Sequence, residues 1–183
     1  MKAVLMSIHP QWCEKIFNGS KTIEVRKSRP SIETPFKVYV YCTKHGDYKY
    51  RVRLDENRLA IPEVWNGKVI GSFVCGDIIS DWKGEHSDEF VKYALLSLDA
   101  QKKYGGNKPL YGWHITEPEL FDKPREITEF YKPCPFNEDC DISCPYAEGE
   151  YHGDGINGDV EFIGCNNKIT RAPQSWVYVE EEE

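Results

Sequence analysis

Three side chains near the N-terminus have types and spacing suited to holding a charged guest. They are Lys21, Glu24 and Arg26, in the run Gly19-Ser20-Lys21-Thr22-Ile23-Glu24-Val25-Arg26. Residues 20–27 alternate as a strand, which puts Ile23 and Val25 on one face and Glu24 and Arg26 on the other, about 7 Å apart. Lys21 has the opposite parity, so it joins them only where a bulge or the corner before the strand re-aims it. A cation, an acid and a second cation around a cleft can bind a phosphate and a base edge. The same spacing also suits a plain Lys21–Glu24 or Glu24–Arg26 ion pair across a barrel seam.

The chain has five Trp and eleven Tyr. Flat rings stack on exposed bases, each contact contributing roughly 1–3 kcal/mol, and rings also fill barrel cores. In the small barrel that the strand pattern predicts, Trp12 and Trp113 flank Ser7, His9 and the cationic run, so these four residues are the candidates for completing a pocket. His9 and Cys13 stand four apart, a spacing that can activate a thiol, but no third group is in view to orient them.

Cys134, Cys140, Cys144 and Cys165 place four thiols within 32 residues. Four thiolates make a tetrahedral zinc site, and His152 could replace one of them. An iron–sulfur cluster uses the same ligand type, and simple free thiols are a third reading. Residues 133–167 carry eight acids and no Lys or Arg. Such a segment repels phosphates, so zinc here would be a structural staple and not a nucleic-acid reader. The run Asp154 to Asp159 is loop-like and acidic, but Ile156 stands where calcium needs an oxygen. There is no G-x-G-x-x-G, Walker loop, G-x-S-x-G or H-E-x-x-H, so the dinucleotide, NTPase, serine-hydrolase and zinc-protease chemistries lack their usual carriers.

The elements that must position these residues are short. Residues 2–6 read as a strand, and Pro10 suits the first turn of a helix bearing Trp12, Ile16 and Phe17, stopped by Asn18-Gly19. Strands follow over 36–42 and 69–75, with Tyr48 to Leu54 as a further candidate. One helix is expected from Ser87 as N-cap to Gly105-Gly106, with Phe90, Val91, Ala94, Leu95 and Leu98 as its buried stripe. Strands around 111–115 and 119–121, an aperiodic stretch over 133–167, and a closing strand over 174–179 complete the chain. This pattern predicts an α+β fold: a small mixed β-barrel with two main helices and a Cys-rich, zinc-stabilised insertion. The domain reading is one unit over 1–179, including the insertion at 133–167, and an acidic tail over 180–183.

The 183 residues are enough for one domain and its elaboration. A chain of this size buries roughly 70% of its unfolded surface, so it needs no disulfides to fold. No apolar run approaches the roughly 20 residues of a membrane helix, and the first ten residues are too weakly apolar for a signal peptide. The implied compartment is therefore the cytoplasm, where clustered Cys point to metal before disulfide. Net charge is −7. Residues 1–58 hold 12 Lys and Arg against 6 Asp and Glu, while residues 59–183 hold 11 against 24. A basic front half on an acidic protein suits a phosphate-bearing partner at one face.

The motif around Lys21 matches the G-x-K-x-x-E-x-R signature of the ASCH family, whose fold is a PUA-like barrel. Four other segments resemble the family in order: Ser7 to Pro10, Asn66 to Phe73, Tyr111 to Ile115 with Asp122 to Pro124, and Pro173 to Val179. The last is similar to the end of bacterial and phage-associated members. The resemblance implies recognition of RNA, a nucleotide or a modified nucleoside, with the signature at the cleft. It also implies an alternative, a hydrolase of the same fold acting on RNA or on an acylated cytidine, with Lys21 as base and Glu24 as acid/base for its catalytic pair. In that amidohydrolase branch a Thr stands where this chain has Glu24, and Thr22 lies in a different register. A lesser alternative is a protein-interaction module of a phage or mobile element, with the acidic half mimicking nucleic acid.

Overall fold

The structure, a computed structural model, describes residues 2–44, 63–81, 84–134, 144–152 and 159–181. Six strands form one mixed sheet: β1 (Lys2–Ile8), β2 (Ile23–Arg26), β3 (Phe36–Cys42), β4 (Val69–Asp81), β5 (Leu110–Arg125) and β8 (Trp176–Glu180), in the order β2-β5-β4-β3-β1-β8. β1 and β3 run parallel, and the other neighbours are antiparallel. A separate hairpin pairs β6 (Ala147–His152) with β7 (Asp159–Cys165). The candidate strand over 48–54 lies outside the described residues.

The sheet is apolar on both faces, which explains why β1 reads as a continuous apolar run. Val4, Met6 and Ile8 of β1 join Val38, Val40, Ile70 and Phe73 in one core, under α1 (Pro10–Phe17). Ala3 and Leu5, of opposite parity, join Tyr39, Tyr41, Phe130 and Val179 in a second. α1 begins on Pro10 and buries Cys13 and Ile16, and Gly19 ends it at φ +78°, a conformation open to glycine. β5 is continuous where the sequence suggested two short strands. Its pairing with β4 slips in three places, and Glu117 at φ 49° sits within the irregular stretch.

The single helix expected over 87–105 is two. α2 (Ser87–Tyr93) ends at Ala94, Leu95 takes φ 57°, and Ser97 starts α3 (Leu98–Gly105) by accepting from the Ala100 N–H. Ser97 interrupts the apolar periodicity because its hydroxyl serves a helix start better than a helix interior. The stripe therefore splits. Phe90 and Ala94 pack with Ile23, Val25 and Leu110, whereas Val91 and Leu98 are exposed. There are thus three α-helices among the described residues, not two main ones.

The Cys-rich segment carries the β6–β7 hairpin, which its composition did not announce. Its alternation is masked by Gly149 and by the slip between Glu148 and Gly149. A bridge between Tyr131 and Lys168, with Lys132 N–H on the Asn167 carbonyl, runs Cys134 alongside the chain that leaves Cys165. The Ala147 N–H donates to the Cys144 carbonyl, and Ala147 pairs with Cys165. Cys144 and Cys165 thus lie at the foot of the hairpin, while Cys140 lies outside the described residues. Among the described residues, no three His, Cys, Asp or Glu side chains are placed to hold a metal ion. Glu180, expected in the tail, is the last residue of β8, and its carboxylate accepts from the Cys134 N–H. No helix of the described residues is long and apolar enough to cross a membrane.

Candidate ligand-binding site

Lys21 reaches its neighbours from the corner, not from the strand. It precedes β2, and the next residue, Thr22, donates its N–H to the Tyr93 carbonyl at the end of α2. The last carbonyls of a helix lack partners within it. The break after Tyr93 leaves the Ala94 carbonyl open, and Lys21 Nζ fills it at 2.9 Å. The same Nζ donates to the Ile23 carbonyl at 2.7 Å and meets Glu24 Oε2 at 3.3 Å. An ammonium has three donors, and all three are engaged. Burial lowers the Lys21 pKa below its ordinary value, against the pull of Glu24, which favours the charged form.

Alternation puts Glu24 and Arg26 on one face of β2, as the sequence required. Arg26 Nη2 lies 3.0 Å from Glu24 Oε1 and donates to the Ser7 carbonyl at 2.7 Å. Ser7 is at the far side of the sheet order, so this bond draws β2 towards β1 and curls the sheet. Its hydroxyl is tied in turn to the Pro173 carbonyl at 2.7 Å. Glu24 therefore holds one cation on each oxygen. Lys21, Glu24 and Arg26 are only 4%, 7% and 8% exposed, so these pairs are shielded from solvent.

The three are not sealed. They form one wall of a cavity of about 310 Å³ at the seam between β1 and β2. His9 and Trp12 stand on its α1 side, Ser7 and Thr43 at the ends of β1 and β3, and Val25 on the edge of β2. Ala94, Leu96 and Tyr104 close it from the α2–α3 side. The half-buried Trp12 indole has the Lys21 ammonium 5.2 Å from its centroid. Tyr104 carries Lys27 over its ring at 4.6 Å, and burial raises its phenol pKa while Arg26 opposes that. The Arg26 Nε–H is buried and has no partner among the described residues.

Six of the seven residues expected at a pocket, Ser7, His9, Trp12, Lys21, Glu24 and Arg26, thus line one cavity. Trp113 does not. It sits opposite Glu24 in the β2–β5 register, but Phe36 at 5.6 Å and Trp176 at 5.9 Å enclose its ring, and it is fully buried. The His9–Cys13 spacing yields no reactive thiol. Cys13 turns its sulfur to the Ile8 carbonyl at 3.6 Å, and burial, reinforced by Cys42, raises its pKa. The sequence reading missed Val25, Thr43, Ala94, Leu96 and Tyr104. Ala94 was assigned to a buried helical stripe, and nothing in the spacing distinguishes Tyr104 from the other tyrosines.

The arrangement can take a guest with an anionic group and a polar edge. Two cations against one anion leave a formal charge of +1 in the wall. Each oxygen of Glu24 accepts from one cation and has lone-pair capacity left for another donor. A volume of 310 Å³ is at the small end of ligand pockets, which run from about 300 to 1,000 Å³.

The sequence profile of the ASCH domain matches residues 6–125. Among solved structures, the chain is similar to the ASCH protein of Zymomonas mobilis, at 17% identity and a TM-score of 0.51, over 68% of this chain and 73% of that one. Two single-site variants of that protein match in the same way. One is 18% identical with a TM-score of 0.51, covering 68% and 73% of the two chains, and the other is 16% identical with a TM-score of 0.51, covering 69% and 77%. At this identity the likeness concerns the fold. No curated protein matches the chain by sequence.

Proposed function

This chain belongs to the ASCH domain family, and from that premise we propose that its cavity binds one nucleotide of a single-stranded RNA. One observation carries the reading: Lys21, Glu24 and Arg26 converge on a cavity that also presents the Trp12 indole. In this arrangement the indole stacks on the base, Glu24 accepts from a base amino or imino group, and Arg26 supplies charge for the phosphate. Lys21 has a different role from the one its spacing suggested. With its donors engaged by Glu24 and two carbonyls, it fixes the Glu24 carboxylate and the β2 corner.

The hydrolase alternative requires Lys21 to work as a base, and so to be neutral. A neutral amine has two donors, and three acceptors surround Nζ, so these hydrogen bonds oppose the neutral form that burial promotes and weigh for a binding site over Lys21-driven catalysis. The test is a polarisation titration of short fluorescent single-stranded RNA with the parent chain and Trp12→Ala. Loss of one stacking contact, about 1–3 kcal/mol, predicts about 5- to 150-fold weaker binding. Equal affinity of the two proteins would refute the assignment.

A further inference from the structure

β2 is an edge strand. It pairs with β5 alone, and its other edge faces the seam where the cavity lies. In an antiparallel ladder, successive residues turn their N–H and C=O alternately to the partner strand and away from it. Two observations fix the phase here. The Ile115 N–H donates to the Thr22 carbonyl at 2.9 Å, which makes the flanking Ile23–His114 pair one that does not exchange ladder bonds. The Ile23 carbonyl points away from β5 accordingly, and Lys21 Nζ takes it at 2.7 Å. Glu24 and Arg26 then bond to β5, and Val25, two residues after Ile23, presents its N–H and its C=O to the open edge.

The start of that edge is covered. The Tyr93 carbonyl takes the Thr22 N–H, and Lys21 caps Ile23. The cover ends there. Val25 lines the cavity, and no main-chain bond beyond the β5 ladder reaches it among the described residues. Its side chain packs with Ile23, Phe90, Ala94 and Leu110, so it is already engaged. An unpaired strand edge is a template for whatever brings a matching donor and acceptor. Every nucleobase carries such a pair on its Watson–Crick edge, and proteins read single-stranded RNA at that edge.

We propose that the main-chain N–H and C=O of Val25 read the Watson–Crick edge of the base bound in the cavity. The ligand class is a nucleobase with an adjacent hydrogen-bond donor and acceptor left unmodified. This rests on the nucleotide reading above. It adds that the contact is made by backbone and so survives any side-chain change at residue 25 that keeps the strand. It also adds that a methyl group on that base edge excludes the guest.

The test uses the full chain labelled with ¹⁵N and titrated with each of the four ordinary ribonucleoside monophosphates. The tightest binder is expected to move the Val25 amide proton downfield. Its analogue, methylated on the ring nitrogen or amino group of the Watson–Crick edge, is expected to bind at least about tenfold more weakly. If the Trp12 indole resonance shifts while the Val25 amide stays still and the methylated analogue binds equally well, the backbone contact is overturned and the pocket stands. If no monophosphate moves any resonance of the cavity residues, both are overturned.

Discussion

Replacing Glu24 with Gln keeps the shape of the side chain and removes the charge on which two buried cations depend. Both carboxylate oxygens accept, one from Lys21 at 3.3 Å and the other from Arg26 at 3.0 Å. An amide offers one acceptor, and its NH₂ would face the donors of the other cation. One cation is then buried without its partner, a change that destabilises by about 3–5 kcal/mol. For a chain of this length that is a fall in Tm of about 6–20 °C. Lys21 has an escape, because burial already lowers its pKa and loss of Glu24 lowers it further. The unfolded chain binds the more protons between that lowered value and the ordinary 10.5, so the stability of the variant rises with pH there and the deficit narrows. Thermal unfolding followed by circular dichroism at about pH 7 and about pH 9 measures both effects. A Glu24→Gln chain that melts within about 2 °C of the parent at both values would show that the three charges are not mutually dependent.

Three further outcomes follow from other parts of the molecule. Burial alone would raise the Glu129 pKa, but the Glu126 N–H and the Arg125 guanidinium outweigh it and hold the carboxyl below the ordinary range. The stability this adds is present above the ordinary Glu value of 4.5 and is lost as the pH falls through the folded one, so a Glu129→Gln chain should melt below the parent near neutrality and level with it in acid. For the Cys-rich segment, the proposal is a structural zinc on Cys134, Cys140, Cys144 and Cys165. Metal analysis of the purified chain should find about one equivalent, and less than about half an equivalent refutes it. In the same sample the Cys75 thiol, which burial pushes up to about 12, should resist alkylation with or without a chelator.

Much of the site was legible because a strand's two-residue period is rigid. The alternation through Ile23, Glu24, Val25 and Arg26 requires the acid and the arginine to share a face, and they do. Pro10 and Gly19 bracket α1 for equally local reasons. Lys21 was legible only as a condition, since its parity was wrong for a strand residue and its place depended on a corner. What positions it is tertiary. Leu95 takes a conformation unusual for its type, Ser97 restarts the helix, and the break between them exposes the carbonyl that Lys21 grips. A periodicity argument sees only the apolar residues there and draws one long helix. Trp113 failed for a similar reason, because closeness to Glu24 in register does not show that Phe36 and Trp176 enclose its ring. The main chain of Val25 left no mark at all, since residue types carry no record of which strand edge stays open.

The account is tested most directly by a crystal structure of the chain grown with a nucleoside monophosphate. It predicts the base in the hollow between β1 and β2, its plane against the Trp12 ring and a polar atom in contact with the Glu24 carboxylate. A nucleotide bound on another face of the molecule, with the hollow filled by water, would contradict it.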